Sequence, residues 1–331
     1  MFWGEHWGRR VRSLTGGPFL LPIFRNKKSE TSELRPFEGG CHGESRSLRL
    51  RRAPLCPLRG AMHSLPPVLS IAGSDNSAGA GIQADLKTMS VLEVYGLTAV
   101  TCVVAEVPGK VSAIYGVPPA LVAEQIRLLF EAFPIAALKT GMLYSTEILR
   151  SVIRTLGEVA VRRALPPLVV DPVMVTTSGD NLLENEAVAV YCEGLFPLAT
   201  LITPNLDEAA VLLGEPITGR DALREAGHVL VKKFGTAFLM KGGHLKEATA
   251  SDLLIQPSGE EHLFEAPFVY GVSTHGTGCT YSAAVAAELG KGAGLVEAVG
   301  VAKQFVSRAV SGHLRWERSG QQTDALHHFA R

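Results

Sequence analysis

Between residues 66 and 315 short apolar runs alternate with helical stretches of about ten residues or more. "PPVLSIAGS", "LTAVTCVVAEV", "IAALKTGML", "PPLVVDPVM", "TLITPN" and "TAFLMKGGH" read as buried strands. "AGIQADLKTMSVLEVYG", "PPALVAEQIRLLFEAF", "STEILRSVIRTLGEVAVRRA", "ENEAVAVYCEGLFPLA", "LDEAAVLLG" and "DALREAGHVLVKKFG" read as the helices between them. A strand that returns through a helix lies parallel to its predecessor, so the sheet is mainly parallel and covered on both faces. The pattern predicts an α/β fold in one doubly wound domain. Gly96 is expected to close the first helix, a proline to open the second and Ser145 to cap the third. "ASDLLIQPSGEEHLFEAPFVYG" reads as a hairpin, and "GLVEAVGVAKQFVSRAVSGHL" as a last helix.

Composition excludes several classes. With 46% hydrophobic residues in 331, the chain can bury a large core. No apolar run reaches the ~18–20 residues that a membrane span needs. Formal charge is zero overall, but residues 1–61 hold ten Arg and two Lys against five Glu, a net +7, which leaves −7 on the remainder. A net-acidic body argues against nucleic-acid binding. The five cysteines, Cys41, Cys56, Cys102, Cys192 and Cys279, form no CxxC pair. That count argues against a disulfide framework or a zinc site and for a reducing cytoplasm. Residues 1–61 mix Arg, Gly, Pro and Ser without helical or strand period. They read as a disordered extension, with Met62 as an alternative start.

In doubly wound folds ligands bind beyond the C-terminal ends of the strands. Here those ends read Gly73-Ser74-Asp75, Ala105-Glu106, Lys139-Thr140-Gly141-Met142, Asp171-Pro172-Val173, Thr203-Pro204-Asn205 and Lys241-Gly242-Gly243-His244. Any one of these is ordinary loop chemistry, and singly Asp171 and Glu208 read equally well as helix caps or surface charges. Six polar turns on one rim point to a site.

"STHGTGCTYSAAVAAEL" adds a second element. Gly276 and Gly278 free the backbone to aim successive N–H groups at one point, and the helix beginning near Cys279 contributes unpaired donors and its positive dipole end. This is an anion pocket built from backbone. Its spacing is neither GxxxxGK[ST] nor GxGxxG. Cys279 is expected to have a lowered thiol pKa at that helix start. A drop of one unit from 8.5 would raise the thiolate from roughly 3% to roughly 24% at pH 7, a usable proton acceptor.

The motifs "IAGSDNSAGAGIQADLKT", "KTGML", "VVDPVMV", "SGDNLL", "LITPNLDEA", "LMKGGH" and "HGTGCTYSAA" occur in the order found in hydroxymethylpyrimidine/phosphomethylpyrimidine kinases of thiamine biosynthesis, and the closing "HHF" resembles that family's tail. The family belongs to the ribokinase-like superfamily, which includes pyridoxal kinases. The resemblance covers about residues 66–315 and leaves the first 61 residues without a counterpart. It implies a ribokinase-like three-layer α/β/α sandwich over 62–331, a homodimer, and ATP-dependent phosphorylation of the pyrimidine hydroxymethyl group and then of its monophosphate.

The resemblance also implies roles for single residues. The anion hole falls on Gly276, Thr277, Gly278 and Cys279, with Cys279 where sugar kinases hold an aspartate base. Gly73, Asp85, Met142 and Val173 match positions that contact the pyrimidine. Asn205, Lys241 and Thr274 match the nucleotide side, and Asp171 and Glu208 lie near magnesium and phosphate. Oxygen ligands suit Mg²⁺, which keeps several waters, so this sparse pair suffices. One departure stands out: the family reads "AQN" where this chain reads "AEV", which puts Glu106 in place of a glutamine. An ionised carboxylate only accepts hydrogen bonds, whereas an amide also donates. Two alternative readings are a pyridoxal-type kinase on the same fold and a nucleotide-sensing module without turnover.

Overall fold

The computed structural model describes residues 64–174, 185–243, 249–272 and 275–330. The extension 1–61, Met62, the "SGDNLL" motif, His244 and Thr274 lie outside them. The described chain begins β1 (Pro67–Asp75), α1 (Gly81–Val91), β2 (Tyr95–Val107), β3 (Lys110–Gly116), α2 (Pro119–Ala132), β4 (Ala137–Thr140), α3 (Thr146–Arg162), β5 (Leu168–Val170). It continues α4 (Asn185–Val190), β6 (Leu201–Ile202), α5 (Leu206–Leu213), α6 (Arg220–Phe234), β7 (Ala237–Lys241), β8 (Thr249–Ile255), β9 (Glu261–Pro267), α7 (Thr277–Gly290) and α8 (Leu295–Ser311). A small ribbon of β10 (Leu314–Arg318) and β11 (Gln321–Ala325) precedes the C-terminal tail.

Nine strands form one sheet in the order β3-β2-β1-β4-β5-β6-β7-β8-β9. In that order the six from β2 to β7 run parallel, β3 and β8 run against them, and β9 pairs antiparallel to β8. The chain leaves β1 for β2 on one side and returns to β4 on the other, so β1 marks the point where strand order reverses. Side chains alternate across each strand. Leu69, Ile71, Leu138, Val170, Ile202, Phe238 and Met240 pack under α2, α3, α5 and α6. Val68, Ala137, Val169, Leu201, Ala237 and Leu239 pack under α1, α7 and α8. Each fully buried Leu or Ile contributes about 1.5–3 kcal/mol, so both interfaces are strongly held. The result is the three-layer sandwich that the alternation predicts.

The local signals operate as expected at two helix starts. Pro119 sits in the first turn of α2. The Ser145 side chain accepts from the Ile148 N–H and caps α3. Other features differ from expectation. Gly96 does not close the first helix: α1 ends at Val91, Glu93 turns the chain with φ 57°, and Gly96 lies within β2 opposite Val68. A Cβ on Gly96 would come 2.7 Å from Leu86 Cδ2, so the glycine lets α1 lie close on the sheet. The stretch expected as one helix up to Ala199 is α4, a π-helical turn (Tyr191–Leu195) and a 3₁₀ turn (Phe196–Leu198), because Pro197 cannot continue an α-helical ladder. Strand β3 and the β10–β11 ribbon are additions: β3 folds back from β2 as a largely exposed edge, and the ribbon is largely exposed and polar.

Candidate active site

The strand alternation that separates the two cores also builds the site. Lys139 is one step beyond Leu138, Asp171 one beyond Val170 and Lys241 one beyond Met240, so all three point toward α7 rather than α2. They do so at the C-terminal ends of β4, β5 and β7. Ser70 of β1 lies on the same face and donates to Asp85 Oδ2 of α1 at 2.5 Å.

Charges of alternating sign then follow one another along the rim. Lys139 Nζ bonds both Asp85 oxygens, at 2.9 and 2.8 Å, and neither side chain is exposed. Burial alone would strip the Lys139 proton, but Asp85, with Cys279 and Asp171 behind it, outweighs burial and holds the ammonium charged. Next along the sheet, Lys241 Nζ lies 2.9 Å from Asp171 Oδ1. Asp171 also accepts from Thr203 Oγ1 at 3.2 Å and from Ser282 Oγ at 3.4 Å. Burial opposes the Lys241 charge as well, and Asp171 and Glu208 restore it.

Asn205 and Glu208 form a reciprocal capping box at the start of α5, with Glu208 N–H on Asn205 Oδ1 at 2.9 Å and Asn205 N–H on Glu208 Oε2 at 2.8 Å. Asn205 bridges to Lys241 in parallel register, which brings the box to the end of β7. Burial pushes the Glu208 carboxyl up to about 7, against the pull of Lys241. Among the described residues no group of three or more His, Cys, Asp or Glu could hold a metal on its own. Asp171 and Glu208 supply hard oxygen donors near Lys241, which suits a magnesium ion held mostly by phosphate oxygens and water.

The turn before α7 faces this row. Gly276 is the N-cap with φ 82° and no side-chain cap, so the first helical N–H groups find no acceptor within their helix. A Cβ on Gly278 would meet Lys241 Nζ at 3.3 Å and Asp171 Oδ2 at 3.4 Å, which places the turn beside the ion pair. At its other end the turn interlocks with residues 75–80: a Cβ on Gly276 would fall 1.8 Å from the Gly79 carbonyl oxygen.

Cys279 sits in this first turn among polar neighbours. The expected lowering of its thiol pKa is corrected by the structure: burial pushes the thiol up to about 11. Lys139 and the Gly81 N–H favour the thiolate, and Asp85 and Asp171 oppose it. The helix start is real, yet desolvation of the sulfur outweighs it.

The acceptor side is built from β1 and its neighbours. The missing side chain of Gly73 leaves space beside Cys102 Sγ and Met142 Cε, which a Cβ would approach to 2.7 and 2.8 Å. Thr101 Oγ1 fixes the Met142 carbonyl at 2.7 Å. Val173 follows Asp171 on its turn, with its N–H on the Asp171 carbonyl at 2.9 Å. Glu106, at the end of β2, is anchored by its N–H to Asn76 Oδ1 at 2.6 Å. Burial raises its carboxyl pKa, and Asp75 adds to the effect. Asp85 differs from expectation: it lies beneath the rim with both oxygens on Lys139, so it reaches the site through that lysine.

The structure thus gathers Gly276, Thr277, Gly278, Cys279, Asp171, Lys241, Asn205 and Glu208 around one turn, with Gly73 and Met142 paired on the adjoining wall. Sequence reasoning set Asp75 and Lys139 on the rim without giving either a role and gave none to His275, although Lys139 opens a recognised motif and His275 adjoins the glycine turn. The tail adds His328, whose Nε2 lies 3.0 Å from Thr280 Oγ1 and whose pKa is pushed down to about 4 by burial. Two surface cavities elsewhere, one lined by Cys192, Lys233 and Phe234 and one by Arg127, Arg150 and Arg154, contain none of the rim residues.

The family profile for phosphomethylpyrimidine kinase matches residues 75–324. The chain belongs to the phosphomethylpyrimidine kinase family. It is 43% identical over 264 residues to a hydroxymethylpyrimidine/phosphomethylpyrimidine kinase of Rhizobium meliloti, covering 80% of this chain and 97% of that one. It is 43% identical over 243 residues to the thiamine biosynthesis bifunctional protein ThiED of Geobacter sulfurreducens, covering 73% of this chain but only 49% of that longer protein. Among solved structures, an ADP complex of Bacillus subtilis pyridoxal kinase superposes with a TM-score of 0.72 at 34% identity, covering 81% of this chain and 98% of the other. The family assignment agrees with the ribokinase-like reading of the motifs, and among the described residues no helix is long and apolar enough to cross a membrane.

Proposed function

We propose that this kinase transfers the ATP γ-phosphoryl group to 4-amino-5-hydroxymethyl-2-methylpyrimidine and then to the resulting monophosphate, in thiamine biosynthesis. The observation that carries the reading is the glycine turn Gly276–Cys279 at the start of α7, set beside the Lys241–Asp171 pair. Phosphoryl transfer needs positioning and charge neutralisation more than covalent chemistry. The amides of the turn grip the transferring group as charge spreads over its oxygens. Lys241 lies along the phosphates as a point charge. Asn205 and Thr274 serve the nucleotide side, and Asp171 and Glu208 would hold Mg²⁺ largely through water, where the ion would supply charge neutralisation to the phosphates. Gly73, Met142, Val173 and Glu106 hold the pyrimidine, and Cys279 takes the acceptor proton as its thiolate, the minor form at neutral pH that the nearby Lys139 favours.

A pyridoxal-type acceptor is the competing reading, because a pyridoxal kinase shares the fold at 34% identity. Family profile and the 43% identity along nearly the whole of the Rhizobium enzyme favour the pyrimidine. The kinase acts as a homodimer, supported by the β2–β3 edge, where Val103, Val107, Val111 and Tyr115 are more than half exposed on one side. Cys102, Cys192 and Cys279 are all free thiols, which supports a cytoplasmic setting. ADP release by the purified chain decides the substrate: turnover is expected with hydroxymethylpyrimidine and its monophosphate. Faster turnover with pyridoxal, or none with any of the three, would overturn the reading.

A further inference from the structure

We infer that Asp75 and His275 form a latch that holds the acceptor wall against the anion turn, which makes both positioning residues for phosphoryl transfer. Asp75 is only 2% exposed. Its Oδ1 accepts from the Ser77 N–H at 2.7 Å, and its Oδ2 from the Gly79 and Ala80 N–H groups at 3.1 and 2.8 Å, so the turn after β1 winds around this carboxylate. The fourth partner comes from the far end of the chain: His275 Nε2 lies 3.4 Å from Oδ2. Burial works against the Asp75 charge, but these donors hold its carboxyl well below the usual range, and the same contact raises His275.

His275 immediately precedes Gly276. Its ring edge lies 3.1 Å from where a Cβ of Gly79 would be, and the Gly79 carbonyl occupies the place that a Gly276 side chain would need. Asn76, in the same turn, anchors the Glu106 N–H at 2.6 Å. One buried carboxylate therefore ties the turn after β1 to the start of the anion turn, and Asn76 of the same turn ties in the end of β2 that carries Glu106. Charge-assisted hydrogen bonds of this kind hold geometry better than neutral ones. Geometry is what the reaction needs, since a displacement near 1 Å can cost about a hundredfold in rate.

The inference rests on reading residues 276–279 as the phosphoryl grip, so the test carries a control for that reading. Steady-state kinetics with hydroxymethylpyrimidine and ATP are measured on the full chain and on His275→Ala, His275→Gln, Asp75→Asn, Lys241→Met and Cys279→Ala, with melting curves for each. His275→Ala is expected to lower kcat about tenfold to a hundredfold with the ATP KM within about twofold. His275→Gln, whose amide nitrogen reaches Asp75 much as Nε2 does, is expected to restore most of that loss. Asp75→Asn is expected to match His275→Ala, and the double variant to be no worse than either single one. A kcat for His275→Ala within about twofold of the unaltered chain, or a loss that His275→Gln fails to restore, would overturn the latch. Should Asp75→Asn fail to fold, the two His275 variants decide alone. A Cys279→Ala chain of unchanged turnover would instead remove the sulfur as proton acceptor, and an ATP kcat/KM unchanged in Lys241→Met would remove the underlying reading of the turn. Slowed Cys279→Ala beside unaffected His275→Ala removes the latch only.

Discussion

Lys241 and Asp171 come from strands two places apart in the sheet, yet their side chains meet at 2.9 Å beside Gly278. Neither is well exposed, so removing one leaves the other as a buried, uncompensated charge, which typically costs 3–5 kcal/mol. Lys241→Met is expected to lower the melting temperature and to cut kcat/KM for ATP at least about a hundredfold. Lys241→Arg should recover stability more than activity, because a planar guanidinium does not match a compact ammonium beside Gly278. Thermal melts and ATP titrations check both.

Glu208 gives a prediction with a definite sign. Its folded pKa is raised to about 7 from 4.5, so the folded protein keeps a proton that the unfolded chain releases. That contribution to stability is complete below pH 4.5 and is lost as pH rises through about 7. Glu208→Gln cannot ionise and preserves the capping box. It should be more stable than the parent at pH 8, by on the order of 1–3 kcal/mol, and similar at pH 4. The same variant should need more magnesium for half-maximal rate. Denaturant melts at the two pH values and a magnesium titration test the pair of effects.

Cys279 should be a slow nucleophile. With its thiol pushed up to about 11, iodoacetamide labelling at this residue is expected to keep rising beyond pH 9, where an ordinary thiol levels off. Peptide mass mapping separates it from the other cysteines. Cys279→Ala should fold and lose about 10²–10⁴ in kcat, the span of general-base removal. Unchanged turnover would exclude sulfur as the proton acceptor.

Glu106 replaces an amide by an acid. Its raised carboxyl pKa favours the protonated form, which can donate as glutamine does. Activity toward the pyrimidine should therefore fall as pH rises through that pKa. Glu106→Gln should abolish the fall and improve kcat/KM, by up to about tenfold if one unpaired polar atom is repaired. A clear loss in the variant would reject the assignment.

The exposed apolar side of the β2–β3 edge predicts self-association. Val103→Glu together with Tyr115→Glu, which face each other across the two strands, should leave a monomer by sedimentation, with the helical circular dichroism unchanged.

Much of this architecture is legible before any coordinates. Buried strands and amphipathic helices differ in period, and six polar strand ends announce a rim. Legibility fails where a residue acts through a distant partner. Lys139 looks like a strand-end surface lysine until Asp85 is brought beneath it from α1. Asp75 and His275 are 200 positions apart, a pairing no local pattern encodes. The Cys279 thiol departs from expectation for a related reason: a helix start can be read from glycines, but the solvent removed from around a sulfur depends on the whole fold. Gly96 misleads because a glycine that admits a close helix looks the same as one that ends it.

The odd-and-even arrangement of the parallel strands has a consequence for how such a chain can diverge. Lys139, Asp171 and Lys241 reach the cleft because each stands one place past a residue of the opposite core. Losing or gaining a single amino acid inside β4, β5 or β7 would send its charge into hydrocarbon and a hydrocarbon into the cleft. Length changes are therefore confined to the connections, and relatives are expected to vary in their turns while the count of residues within these strands stays fixed.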